Sequence, residues 1–360
     1  SLVLSSSNNR LPCIIYWGDS LPIHENLHEL NEASKKDWGD NLLDQVPELS
    51  ILPEQSANFS GQLGCKIRDI QSHLLSPCFA FSKEKVNTNS LNLVFKDKVL
   101  GLIYTAKIEA SEGYDVFALS AKIESQNPII MEWLSAPVIG VTQDSNEMVD
   151  YGGHWSGEFR RQITPWVTGV HLRESRVGTT SHAHFPGLII PTIGSSENTG
   201  SCFGFHYGWS GGHRMIAEQL QDGRRQIQFG NTENSELSPG LSFETAKLYI
   251  CHSKNGMSGV GCAFRDYVSH SIVDLAKDSV RPVHYNCWEA VYFDHNIEEL
   301  KEIATIAAEI GAERFVLDDG WFKGRNTAKT SLGDWSVDDQ KYPEGMHPLV
   351  KHIHSTGMTF

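Results

Sequence analysis

Residues Arg281–Trp321 read RPVHYNCWEAVYFDHNIEELKEIATIAAEIGAERFVLDDGW, and the order of patterns within this stretch decides the fold class. Pro282–Trp288 is an apolar, strand-like run. Ile297, Leu300, Ile303, Ala304, Ala307 and Ile310 then recur at helical spacing. Asn296 suits the N-cap, Glu299 the partner position of a capping box and Gly311 the C-terminal stop. Arg314–Asp319 is a second strand. A strand, a helix and a strand in so short a span form a βαβ unit, whose strands must run parallel. Met346–Gly357, MHPLVKHIHSTG, supplies the next short helix with Pro348 near its first turn, and Met358–Phe360 begins a third strand. This is the opening of a (β/α) barrel or of a doubly wound sheet.

Upstream, to about residue 280, the pattern is different. Runs such as Leu91–Ser111, Val116–Ser125, Arg160–Val167, Arg225–Gly230 and Leu241–Ser253 are rich in β-branched and aromatic residues and are separated by Gly, Asn, Ser and Pro turns. Many short strands in one block predict a β-sandwich. One helix of note is expected there, within Gly259–Ala276, leading out of the sandwich. The glycine cluster in Phe205–Met215 has no helical pattern after it and so lacks the phosphate-cradling arrangement.

The chain has 360 residues, enough for two domains with substantial cores. Its net charge of −14 carries no long block of one sign, which argues against a nucleic-acid partner, and no window is long and apolar enough for a membrane span. The seven cysteines are scattered, with no C-x-x-C pair or zinc-site spacing, and read as reduced, mostly buried thiols of a cytoplasmic protein. The chain stops on an apolar run after Gly357, with no polar tail or closing element, so it is expected to be the N-terminal part of a longer protein.

Asp318 and Asp319 fall at the carboxyl end of the second strand, the end where barrel enzymes assemble their sites. Adjacent side chains of a regular strand diverge, but Gly320 permits a turn that would aim both at one pocket. Two ionised acceptors suit a ligand rich in hydroxyls. Trp288 offers a flat apolar wall for the carbon face of a sugar ring. On spacing alone, Asp-Asp-Gly reads rather as an ordinary strand-ending turn with solvated acids, and Trp288 as a core or interface tryptophan.

Arg281–Asn296 and Arg314–Phe360 closely resemble the start of the catalytic barrel of glycoside hydrolase family 36 α-galactosidases. SILPEQSANFSGQLG (Ser50–Gly64), FGFHYGWSGGHRM (Phe203–Met215) and LSPGLSFETAKLYICHSKNGMSGV (Leu237–Val260) resemble, more loosely, that family's β-supersandwich. The resemblance implies a β-supersandwich over residues 1–280, followed over 281–360 by the first units of a (β/α)8 barrel. It implies that Asp318 and Asp319 hold galactose hydroxyls, that Trp288 lines the sugar pocket and that Asp334 and Trp335 shape its rim. Glu289 matches the family too, and an ion pair supporting the barrel is the preferred reading. Trp209, His213 and Arg214 are family-like, with a strand-end tryptophan and a hydrogen-bonded histidine the safer reading. The segment Gln55–Asp69 departs from the pattern of tetrameric members and receives no site residue.

Family 36 enzymes use two carboxylates from later strands, the nucleophile in a Lys-Trp-Asp motif, which is absent here. The implied function is therefore a retaining α-galactosidase acting on melibiose- and raffinose-type oligosaccharides, in which this chain carries part of the sugar pocket and neither catalytic residue. Homo-oligomer formation is expected. An α-N-acetylgalactosaminidase or a galactosyltransferase of the same family is the alternative within that class. A noncatalytic carbohydrate-binding protein is the alternative outside it.

Overall fold

The computed structural model describes residues 1–35, 47–180, 182–232, 238–273, 280–333 and 335–360. The chain divides into two compact units, Ser1–Asp274 and Leu275–Phe360.

The first unit is mostly sheet. Its spine is the long strand Val116–Leu134, which pairs antiparallel with Leu102–Ala110 along one edge and with Leu248–Ser253 along the other. Having more residues than either partner, it continues past them to pair with Gly240–Glu244 and Cys65–Asp69. From Leu102–Ala110 the sheet extends through Ser90–Asp97 to Ala80–Asn87. From Leu248–Ser253 it extends through Cys202–Tyr207, Gly187–Pro191 and Glu147–His154 to Gly157–Pro165. Along Leu102–Ala110, buried Leu102, Tyr104, Ala106 and Ile108 alternate with half-buried neighbours, the period-two signature of a sheet with one face in the core.

A second sheet has four strands among the described residues, in the order Gly169–Ser175, His213–Gln219, Arg225–Asn231 and Ile139–Val141. The two sheets share a core in which Phe205, Tyr207, Leu248 and Ile250 meet Met215, Ala217, Ile227 and Phe229. Fully burying each such aliphatic or aromatic side chain contributes about 1.5–3 kcal/mol.

A helix that sequence patterning did not anticipate spans Leu27–Ser34. It buries no residue, so it carries no apolar stripe, yet Asn26 caps it and donates to Glu29 at 2.7 Å. The expected helix is present as Gly256–Tyr267 with a wider turn over Val268–Ile272, and residues 274–276 of that expectation lie outside the described ones. His213 is buried and, against the hydrogen-bonded reading, neither ring nitrogen has a hydrogen-bond partner among the described residues; Arg214 pairs with Glu174 and lies over the Trp133 ring.

In the second unit His284–Asn286 and Arg314–Val316 pair parallel, with His284 opposite Arg314, and Thr359 adds a parallel bridge to Arg314. Both strands are shorter than the sequence suggests. The first stops at Asn286 because its side-chain oxygen accepts the Trp288 N–H at 2.8 Å, closing a local turn, and Trp288 opens the single helical turn Trp288–Val291 instead of ending a strand. The helix Ile297–Glu309 has the expected cap, Asn296 accepting from the N–H groups of Glu298 and Glu299. Leu300, Ala304 and Ala307 are buried against Phe315, Leu349 and Ile353, whereas Ile310 is exposed, because Gly311 at φ +97° turns the chain away one residue later. The helix His347–Ser355 has Pro348 in its first turn.

Candidate functional site

The site lies within the second unit, where the backbone leaves its two parallel strands. Strand pairing places Asn286 beside Val316, so the ends of both strands face the same way. Beyond Val316 the chain runs through Leu317 and Asp318 into a turn at Asp319–Gly320. Gly320 has φ +104°, and a Cβ there would lie 3.0 Å from both His295 Nε2 and the Phe293 Cα. Both the dihedral and the packing therefore demand glycine.

The two carboxylates differ in their partners. Asp318 Oδ2 accepts a 2.6 Å bond from Asn286 Nδ2, and Oδ1 accepts the Asp319 N–H at 2.7 Å. These donors are neutral. Asp319 instead receives the fork of Arg325: Nη2 donates to Oδ2 at 2.7 Å, and Nε lies 3.0 Å from Oδ1 and 3.1 Å from Oδ2. The Gly320 N–H adds a further bond to Oδ1. The Arg325 guanidinium holds the Asp319 carboxyl below the usual aspartate range. Asp319 and Arg325 form a charge-balanced pair, while both donors to Asp318 are uncharged.

Arg325 is buried. It also donates to the Thr330 carbonyl at 2.7 Å and lies over the rings of Phe293 and Phe322, 5.4 and 5.7 Å from their centres. Lys341 sits behind the turn, its ammonium donating to the carbonyls of Phe293 and Gly320 at 2.8 Å and of Arg325 at 3.2 Å. Burial lowers its pKa. Asp338 accepts the N–H groups of Gly324, Gln340 and Lys341, which fixes the other side of the same loop. His295 is buried between the Tyr342 hydroxyl, 2.7 Å from Nδ1, and the Tyr292 carbonyl, 3.1 Å from Nε2; burial lowers its pKa, which favours the neutral ring.

Trp288 is half-buried, with its ring edge-on to Tyr292 and Phe293 at 5.1 and 5.0 Å. Asn286 links it to Asp318, since one amide group accepts from the Trp288 backbone and donates to the carboxylate. Trp335 is 68% exposed, stacks on Trp321 and lies tilted against Phe322. Asp334 lies outside the described residues. Glu289 is exposed and accepts the Tyr292 hydroxyl at 2.9 Å, a bond to a neutral neighbour in place of the expected ion pair.

The arrangement offers a carboxylate acceptor with solvent access at Asp318, a second acceptor of fixed orientation at Asp319 and two aromatic faces. Such groups can bind hydroxyls and ring carbons. Sequence reasoning missed Asn286, Arg325 and Lys341. Arg325 and Lys341 act across loop turns with no periodic signature; Asn286, two residues before Trp288, carried a readable Asx-turn signal.

All seven cysteines are free thiols, no group of metal-ligating side chains occurs among the described residues, and no helix among them is long and apolar enough to cross a membrane.

Comparison with known proteins gives a consistent result. Residues 242–360 match the Melibiase family model. The chain is 36% identical over 357 residues to an alpha-galactosidase of Escherichia coli, which covers 96% of this chain and 49% of that protein. It is 32% identical to alpha-galactosidase AgaA of Geobacillus stearothermophilus over 78% of this chain and 39% of the relative. The chain thus spans about half or less of the length of these curated relatives. Among solved structures, the GH36 alpha-galactosidase AgaB from Geobacillus stearothermophilus superposes over 100% of this chain and 53% of its own with a TM-score of 0.87 at 24% identity. An AgaA variant solved in complex with raffinose gives 0.88 at 24%, over 99% of this chain and 54% of that one. With residues 10–238 matching the glycosyl hydrolase family 36 N-terminal domain, well over half of its length, the chain belongs to glycosyl hydrolase family 36.

Proposed function

We propose that the protein containing this chain is a retaining α-galactosidase that removes terminal α-linked galactose from melibiose- and raffinose-type oligosaccharides. The observation that carries the reading is the 36% identity to an alpha-galactosidase along 357 residues, a span that includes the carboxylate turn. A relative solved with raffinose supports the substrate class. In this reading residues 1–280 form a β-supersandwich and residues 281–360 open a (β/α)8 barrel, assembled in a homo-oligomer. Asp318 and Asp319 accept hydrogen bonds from galactose hydroxyls, Trp288 packs against the sugar's carbon face and Trp335 borders the pocket.

Retaining hydrolysis needs two carboxylates about 5 Å apart, one attacking the anomeric carbon and one protonating the leaving oxygen, then activating water. Neither task suits the pair described. Asp319 is charge-balanced by Arg325, which weakens it as a nucleophile and keeps it from holding a proton at neutral pH. Asp318 is held by Asn286 and the Asp319 N–H, a geometry for accepting from a ligand hydroxyl. The attacking and protonating groups are assigned to residues outside this chain. The chemistry requires no metal or cofactor.

The test is p-nitrophenyl α-galactoside and raffinose hydrolysis by the full-length protein, its Asp318→Asn variant and the 360-residue chain alone. Expected are turnover by the parent, a loss of about 100-fold in kcat/KM for Asp318→Asn, as for a removed charged hydrogen bond, and none by the chain alone. A parent without α-galactosidase activity, or an isolated chain that releases galactose, would sink the reading. Including the matching N-acetylgalactosaminide separates the two specificities.

A further inference from the structure

Arg325 has a function that the sugar-pocket residues do not explain. Its side chain is only 6% exposed, so it cannot itself reach a ligand in the pocket, yet its guanidinium contacts both oxygens of Asp319. A carboxylate has about four lone-pair directions. The fork and the Gly320 N–H take those on the inner side, and the 26% of the Asp319 side chain that remains exposed is what a ligand can meet. The guanidinium is in turn fixed by the Thr330 carbonyl and by the rings of Phe293 and Phe322. A planar group clamped on three sides thus dictates the plane of the carboxylate before any ligand arrives. Asp318 has no such control, because among the described residues its one side-chain donor is the exposed Asn286.

We propose that Arg325 is a positioning residue for sugar binding, acting through Asp319 by fixing the carboxylate's plane so that its outward lone pairs meet the galactose hydroxyls. The inference rests on the α-galactosidase reading above and adds to it the element that pre-orders one of its ligands. Preorganised acceptors bind without reorienting, so the contribution is uniform for substrate, product and transition state.

Arg325→Lys keeps the positive charge and loses the planar fork. In the full-length protein, the inhibition constant for galactose and the KM for p-nitrophenyl α-galactoside are expected to rise about tenfold, with kcat within about threefold of the parent. The acid limb of galactose affinity against pH is expected to move upward, because a lysine holds the Asp319 proton off less effectively. A purely structural role would lower the folded fraction and leave both quantities unchanged in what remains folded. In an Asp319→Asn background, Arg325→Lys is expected to have no further effect on galactose binding, since the carboxylate it orients is gone.

An unchanged galactose affinity in folded Arg325→Lys overturns the proposal, as does a penalty that persists beside Asp319→Asn. If Arg325→Lys does not accumulate folded, Asp319→Asn is compared with Asp319→Asn/Arg325→Met, which removes both charges together. Equal galactose affinity supports action through Asp319, and weaker binding by the double variant overturns it. A parent that neither binds nor hydrolyses galactosides instead overturns the functional reading, and the proposal with it.

Discussion

Each unit sets a carboxylate near an arginine, with opposite results. In the first unit Glu54 is 5% exposed and accepts the Phe79 N–H at 2.8 Å, but Arg10 stands 3.5 Å away, is itself a third exposed and also donates to Cys78. Burial dominates and, with Asp97 nearby adding to it, pushes the Glu54 carboxyl up to about 7. In the second unit the Arg325 fork meets Asp319 at 2.7 Å and the carboxyl is pushed down. An arginine in the neighbourhood does not determine ionisation. The geometry of the fork, weighed against the loss of water, does.

The largest expected effect comes from removing the better arginine. Arg325→Met takes the guanidinium from a partly buried Asp319, leaving it the Gly320 N–H, and strips the Thr330 carbonyl of its arginine donor; it is expected to cost the second unit about 3 kcal/mol. Hydrogen exchange of residues 314–345 would report it; exchange matching the parent would erase the contrast with Arg10.

The pH dependence sharpens the comparison because its sign differs between the units. Folded Glu54 keeps its proton to about pH 7, whereas the unfolded chain releases it near 4.5, so this group makes stability fall as pH rises through that window and level off above it. The loss is about 3 kcal/mol at most, each pH unit being worth about 1.4 kcal/mol. Asp319 does the reverse: its pairing contributes fully above the ordinary aspartate range and is lost as pH falls through its lowered value. Urea unfolding of the parent and Glu54→Gln from pH 4 to pH 8 should show a decline only in the parent. Parallel curves would mean that Arg10 pairs with Glu54 as tightly as Arg325 does with Asp319.

The smallest effect is expected at Asp318. Asn286→Ala removes one exposed bond to the carboxylate and the acceptor for the Trp288 N–H, a cost of about 1 kcal/mol. Loss of the Trp288 turn should appear as altered tryptophan fluorescence. A cost near that of Arg325→Met would show that the two carboxylates are held equally, contrary to the geometry.

What the sequence revealed follows the range of the interactions involved. The Asn296 cap, Gly311 and the Ile297–Glu309 stripe were legible because each depends on residues within one or two helical turns. The Leu27–Ser34 helix escaped notice because it buries nothing, although Asn26-x-x-Glu29 was the available sign. A turn at Gly320 after the second strand was readable, although that strand ends at Val316 and leaves Asp318 and Asp319 just beyond it. Their unequal partners were not, because Arg325 reaches back across a loop without periodicity and Asn286 reaches across from another strand. Glu54 was equally hidden, since its ionisation depends on Phe79, Arg10 and Asp97, none of them its neighbour in sequence.

The Lys341 ammonium has three hydrogens, and the carbonyls of Phe293, Gly320 and Arg325 take all three. The loop that leaves Gly320 is therefore fastened again at Lys341, and Asp338 secures the stretch just before it. A doubled flexible loop adds only about 0.6 kcal/mol, but the Thr330 carbonyl that holds Arg325 lies on this loop, so the carboxylate turn keeps its geometry only under changes of loop length that leave Thr330 in place.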